Sequence, residues 1–191
     1  MRVISGSAKA RKLKSPPAST RPIMDRVKEN LFNILGTDVI DADVLDLFAG
    51  AGSVGIEALS RGAKQATFVE MNDQALRVLR ENLKITGLAG RAKVVRENVF
   101  KFVNREPPSL YDLIYVAPPQ YKELWSETLT LLDRREFLKA GGVIVVQIHP
   151  REFQELELER YELVDRRKYG STLLCFYERK EAAASEGQGE P

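Results

Sequence analysis

The 191-residue chain has one cysteine and one histidine. A lone Cys175 excludes an internal disulfide framework. Its neighbours Leu173, Leu174 and Phe176 are apolar, which marks a buried structural thiol rather than a nucleophile. His149 ends an apolar run before Pro150, and one His with one Cys gives no metal-ligand spacing, so no metal is expected. A Ser/His triad is equally unsupported. No apolar N-terminal leader is present and no apolar run approaches ~20 residues, so the expectation is a cytoplasmic protein with no membrane partner. There is also little net charge, +2. That charge is unevenly spread: residues 1–30 carry eight basic and two acidic residues, a segment of +6 against −4 for the rest. Such asymmetry predicts a basic hairpin or arm, residues 1–21, for a polyanion.

From residue 44 onward, short apolar runs alternate with helical periodicity. Strands are predicted at 44–48, 66–69, 92–95, 111–116 and 142–148. Helices are predicted at 22–36, 53–61, 73–86, 99–104 and 122–138. Pro22 suits a first helical position, Gly36 closes that helix, and Leu76, Leu79 and Leu83 share one face of the third. Residues 161–168 and 171–178 read as an antiparallel pair turned at Gly170. Strand–helix alternation with apolar strands means an open, mostly parallel sheet covered on both faces. This α/β domain is expected over 22–180, followed by a disordered acidic tail, 181–191, without a large apolar residue.

Two turns carry chemistry. The first, Leu45-Asp46-Leu47-Phe48-Ala49-Gly50-Ala51-Gly52, joins a strand to a helix. Ligands bind at strand carboxyl ends in such sheets, and Gly50 and Gly52 let the backbone approach a ligand with no Cβ in the way. Glu70 ends the next strand, where a carboxylate accepts both hydroxyls of a ribose. With Gly55 the glycines also spell G-x-G-x-x-G, so the motif alone means an adenosine-type cofactor and leaves a nicotinamide-dependent oxidoreductase open. Asp46 is placed to order the loop or meet an ammonium group, which favours a methyl donor. The second turn is Ala117-Pro118-Pro119-Gln120-Tyr121, after the fourth predicted strand. Its prolines fix φ and remove two donors, leaving carbonyls to face a ligand.

Together these residues resemble the class I methyltransferases that modify exocyclic amines through an Asp/Asn-Pro-Pro-aromatic motif. Thr20-Arg21-Pro22, Asp25-Arg26-Val27-Lys28-Glu29, Leu31-Phe32-Asn33, the glycine loop, and Glu57-Ala58-Leu59-Ser60-Arg61-Gly62-Ala63 are similar to the RsmD family of bacterial 16S rRNA guanine-N2 methyltransferases. Arg2-Val3-Ile4-Ser5-Gly6 and Arg11-Lys12-Leu13 resemble its start, and the likeness spans about residues 1–178. It implies a Rossmann-like class I methyltransferase fold, a seven-stranded sheet with its last strand antiparallel and helices on both faces. It implies S-adenosylmethionine as cofactor, 16S rRNA or the small ribosomal subunit as partner, and a monomer. Asp46, Gly50 and Gly52 match the loop on the donor's methionine side, Glu70 the ribose acceptor and Asn98 the adenine-amine contact, and Phe48, Ala49, Met71 and Val99 are expected to join them in binding the cofactor. Ala117, Pro118, Pro119, Gln120 and Tyr121 match the catalytic motif, and Lys9, Arg11, Lys12, Lys14, Arg21 and Arg26 would bind RNA.

The chain departs from the pattern at two points of that motif. Ala117 replaces Asp or Asn, Gln120 stands where Phe or Tyr is usual, and Tyr121 comes one place late. The expectation is a methyltransferase that retains the Pro118 carbonyl as acceptor. The alternatives are a catalytically weakened donor- and RNA-binding protein that assists ribosome assembly, and an enzyme that methylates DNA adenine.

Overall fold

The computed structural model describes residues 1–15 and 23–181. Seven strands form one sheet: β1 (Asp43–Leu47), β2 (Gln65–Glu70), β3 (Ala92–Arg96), β4 (Tyr111–Val116), β5 (Leu138–Ile148), β6 (Tyr161–Tyr169) and β7 (Thr172–Arg179). Their order is β3-β2-β1-β4-β5-β7-β6. Pairings across β3, β2, β1, β4 and β5 are parallel, and β7 runs antiparallel to both β5 and β6. The expected seven-stranded sheet with its last strand antiparallel is what forms. The order reverses between β1 and β4, which opens a crevice beyond their carboxyl ends.

Among the described residues α1 (Asp25–Leu35) precedes β1, and α2 (Ser53–Ser60), α3 (Asp73–Thr86), α4 (Val99–Val103) and α5 (Leu124–Asp133) connect the first five strands in turn. Successive side chains of a strand point to opposite faces, and both faces are covered. Val44, Leu113, Tyr115 and Val145 face α1, α2 and α3 through Leu31, Leu59 and Leu79. Leu45, Leu47, Ile114 and Val146 face α4 and α5 through Phe102, Trp125 and Leu129. The same parity puts Asp46 and Gln147 on the first face. Cys175 is buried in the second core, and burial pushes its thiol up to about 12, as an inert structural cysteine requires.

Several boundaries moved. The third helix spans Asp73–Thr86 as predicted, because Asn72 caps its start by accepting the N–H groups of Gln74 and Ala75 and Gly87 closes its end. The first helix starts at Asp25 rather than residue 22, and the expectation for Pro22 falls outside the described residues. The predicted helix over 122–138 is too long. Its helical part is Leu124–Asp133, and Leu138 already opens β5. Phe137 is buried against Phe102 and its carbonyl accepts the Tyr111 N–H, so tertiary pairing overrides local periodicity there. Most of the predicted acidic tail, 182–191, also lies outside the described residues.

Over its described part the basic N-terminal segment is a docked hairpin. Arg2 bridges Lys12, and the Val3 N–H donates to the Arg11 carbonyl. Val3, Ala8 and Leu13 are buried in the first core. Glu57 of α2 receives the Ile4 and Ser5 N–H groups at 2.8 and 3.0 Å and the Arg61 guanidinium at 2.8 Å. Lys28 lies 3.4 Å from the same carboxylate, both side chains fully buried. Desolvation holds the Lys28 ammonium below its ordinary pKa, against the pull of Glu57. The motif residues Lys28, Glu57 and Arg61 therefore fasten the amino terminus to α1 and α2.

Candidate active site

The two predicted turns meet in a cavity of about 580 Å³ at the carboxyl ends of β1, β4 and β5. Its wall includes Asp46, Phe48, Ala49 and Gly50 from the first turn. All five residues from Ala117 to Tyr121 line it from the second. The amino terminus contributes Met1, β5 contributes Gln147, and His149 follows directly after β5.

The glycine loop is held from both ends. Gly55, in the first turn of α2, donates its N–H to Asp46 Oδ2 at 3.0 Å. Gly50 donates its N–H to Glu70 Oε2 at 2.9 Å, and the other Glu70 oxygen accepts the Met71 and Asn72 N–H groups. Phe48 is left-handed at φ 59°, an uncommon conformation for a non-glycine residue and one concentrated at ligand sites.

The glycines divide their work differently from expectation. At Gly50, with φ +55°, an added Cβ would meet only the Phe48 carbonyl, 3.9 Å away, so its bare backbone borders the cavity. At Gly52 an added Cβ would lie 2.2 Å from Leu79 Cδ1, and at Gly55 2.3 Å from the Phe68 ring. Gly52 and Gly55 let α2 and α3 close on the sheet; of the loop glycines, Gly50 offers the close approach that was assigned to both Gly50 and Gly52.

Asp46 is 2% exposed. Desolvation raises its carboxyl to about 8, the nearby Glu70 charge adds to the rise, and the Gly55 hydrogen bond opposes it. Such a carboxylate favours a cationic partner, which would restore its charge.

Glu70, Met71, Asn98 and Val99 do not line the cavity. Glu70 ends β2 and Met71 follows it, Asn98 and Val99 follow β3, and the Gly50–Glu70 hydrogen bond joins this cluster to the loop. Asn98 Oδ1 caps α4 by accepting the Phe100 and Lys101 N–H groups, and its Nδ2 faces Met71 Sδ at 3.8 Å. Its acceptor is thus engaged, and one amide N–H is left to donate. Met71 is 61% exposed, and the Val99 side chain is buried in the second core.

Beyond the Pro-Pro turn, Tyr121 is again left-handed at φ 60°. Glu152 holds it there, accepting the Tyr121 N–H at 2.7 Å through one oxygen and the His149 N–H at 3.1 Å through the other. The Tyr121 and His149 ring centres lie 5.5 Å apart. Sequence reasoning missed Gln147, His149 and Glu152. Gln147 carried a signal, a polar residue interrupting Val143-Ile144-Val145-Val146 and Ile148.

Of the predicted RNA contacts, Lys9, Arg11, Lys12 and Arg26 are exposed. Lys14 is exposed but pairs with Glu81 at 2.8 Å. Arg21 lies outside the described residues.

A switch-point cavity with a glycine loop on one wall and a Pro-Pro turn on the other, in a 3-2-1-4-5-7-6 sheet, defines a class I methyltransferase fold. Comparison with known proteins agrees. The family model described as conserved hypothetical protein 95 matches residues 1–178. Ribosomal RNA small subunit methyltransferase D of Escherichia coli is 39% identical over 148 residues, covering 77% of this chain and 74% of that protein. YlbH of Bacillus subtilis is 38% identical over 184 residues, 94% of this chain and all of that protein. The solved structure of Escherichia coli yhhF, 34% identical, superposes with a TM-score of 0.83 over 94% of this chain and 98% of that one. The chain belongs to this family, the RsmD family.

Proposed function

We propose that this protein transfers a methyl group from S-adenosylmethionine to the N2 amine of a guanine in 16S rRNA of the small ribosomal subunit. The observation that carries the reading is the single cavity joining Asp46 and Gly50 to the Pro118–Tyr121 turn. Donor and acceptor sites on its two walls would bring both reactants together, and positioning supplies much of the acceleration in such a transfer.

The residues present fit the donor. The bare Gly50 backbone admits its methionine portion, and Asp46 receives the ammonium group. Glu70 accepts the ribose hydroxyls with lone pairs left over from its three backbone contacts. The Asn98 amide, its oxygen held in the helix cap, donates to a ring nitrogen of adenine rather than accepting from the adenine amine. When bound, the donor supplies an electrophilic sulfonium methyl.

The chain's part is to prepare the amine. A guanine N2 lone pair is delocalised into the ring, and acceptors on its two protons favour the pyramidal, nucleophilic form. The Pro118 carbonyl is one acceptor. The nitrogen lone pair forms the new N–C bond while the S–C bond breaks with its electron pair left on sulfur, and the proton released from nitrogen passes to water. Tyr121, beside His149, offers an aromatic face for a base unstacked from its strand. Exposed Lys9, Arg11, Lys12 and Arg26 supply affinity for the phosphate backbone.

Mass-spectrometric mapping of 16S rRNA from cells with and without the protein tests the reading. One N2-methylguanine should vanish on deletion and return with the wild-type gene. Unchanged rRNA, together with donor binding by the purified protein, would favour the binding-protein alternative, which Ala117 motivates.

A further inference from the structure

We infer that Gln147 is a catalytic residue that supplies the hydrogen-bond acceptor missing at Ala117. The inference rests on the methyl-transfer reading above.

The backbone places the two residues side by side. β4 and β5 are parallel, in register from Leu113 with Val143 to Val116 with Val146. The next residues out are Ala117 and Gln147, on adjoining strand ends, and both line the cavity. A side chain from 147 thus borders the space that a longer side chain at 117 would fill, and alanine leaves that space open.

The Gln147 amide is also oriented. Tyr115, two residues before Ala117 on the same strand, donates its hydroxyl to Gln147 Oε1 at 2.5 Å. Burial and the neighbouring Asp46 charge raise the Tyr115 pKa well above its ordinary value, so the phenol stays protonated and remains the donor. An amide oxygen has two lone pairs. With one held by Tyr115, the other is left for an N–H of the target amine. Tyr115 is therefore a positioning residue, and Pro118 and Gln147 make a pair of acceptors, one for each proton of the amine.

Three other polar residues of the cavity suit the task less well. His149 Nδ1 is occupied in accepting the Arg151 N–H at 3.1 Å, which leaves Nε2 as the ring's N–H donor. Gln120 sits on the loop beyond both prolines, away from the strand ends where Ala117 lies. Asp46 is tied to Gly55 at the glycine loop.

The chemistry balances without a further reactant. The amine's lone pair makes the N–C bond, sulfur keeps the pair of the broken S–C bond, and one amine proton passes to water once the nitrogen has become cationic. Gln147 accepts a hydrogen bond throughout and takes no proton.

Single-turnover methyl transfer to small subunits from cells lacking the modification, with donor affinity measured separately, tests the assignment. Gln147→Leu should slow transfer by roughly ten- to a hundredfold, the range of one lost transition-state hydrogen bond, at unchanged donor affinity and unchanged KM for subunits. Gln147→Glu, which keeps an acceptor, should retain most of the rate. Tyr115→Phe should cost only a few-fold. The double variant Gln147→Leu, Ala117→Asn should recover much of the loss, because an acceptor returns from the neighbouring strand. Wild-type rate in Gln147→Leu, or no recovery in the double variant, would overturn the assignment while leaving the methyltransferase reading intact. No transfer by the wild-type protein would overturn that reading itself.

Discussion

The buried Asp46 carboxyl makes donor binding pH-dependent in a defined way. In the ligand-free protein its pKa is about 8, so at pH 7 only about a tenth of the molecules carry the anion that an ammonium group prefers. Apparent affinity falls in proportion to that competent fraction. With the donor's own α-amino ionisation included, S-adenosylmethionine should therefore bind roughly 20-fold more weakly at pH 6 than at pH 8, approaching about a factor of ten per pH unit on the acid limb. Neighbouring groups do not reverse the sign. Glu70 raises the Asp46 pKa, and Tyr115 stays neutral. Above about pH 8 the donor's own α-amino group, with an ordinary pKa near 7.7–8.0, loses its charge. The affinity profile should accordingly pass through a maximum near pH 8. Binding at pH 7 should release close to one proton from Asp46, measurable by calorimetry in buffers of different ionisation enthalpy. Asp46→Asn should weaken binding at pH 8 and flatten the acid limb. A flat affinity between pH 6 and 8 in the wild-type protein, or binding with no proton release at pH 7, would refute the assignment of Asp46 to the ammonium group.

The same group affects stability. Its folded pKa lies above the unfolded value, so its contribution to stability is complete below about pH 4 and is lost as pH rises through about 8. Urea titrations of ligand-free protein should show this slope, and Asp46→Asn should remove it. Glu70→Ala should weaken donor binding about ten- to a hundredfold in calorimetry, because ribose hydroxyls and the Gly50 N–H lose their acceptor together; wild-type affinity would end the ribose assignment. Glu57→Ala should destabilise the fold by about 3–5 kcal/mol in denaturant melts, since Lys28 is left buried without its counter-charge; a loss below about 1 kcal/mol would mean the amino terminus docks without this pair. Neutralising Lys9, Arg11, Lys12 and Arg26 together should flatten the log–log salt dependence of RNA binding by about 3, at about 0.7 per phosphate contact on single strands, with donor affinity unchanged. An unmoved slope would assign these charges to solubility.

Local patterns in the chain determined the sheet's class and the two turns of the site. Apolar runs such as 111–116 form strands wherever they are buried on both faces, and Asn72 and Gly87 fix a helix by hydrogen bonds within a few residues, so both signals are legible without tertiary information. The glycine and Pro-Pro turns were legible for the same reason. Their effect is on their own backbone. What depends on distant partners was not legible. Residues 134–138 continue a helical pattern yet leave the helix, because Phe137 gains more by filling the core beside Phe102 than by extending α5. Gly52 and Gly50 look alike in sequence, and only the packing of Leu79 shows that one serves the core and the other the cavity. Eight basic residues near the amino terminus look equivalent by count, but burial beside Glu57 removes Lys28 from the surface and Glu81 partly neutralises Lys14. Gln147 was visible as a polar break in an apolar strand. Its place beside Ala117 came from the parallel register of β4 and β5. Hydrogen bonds between strands set that register over 30 residues of separation, and no local pattern in the chain encodes it.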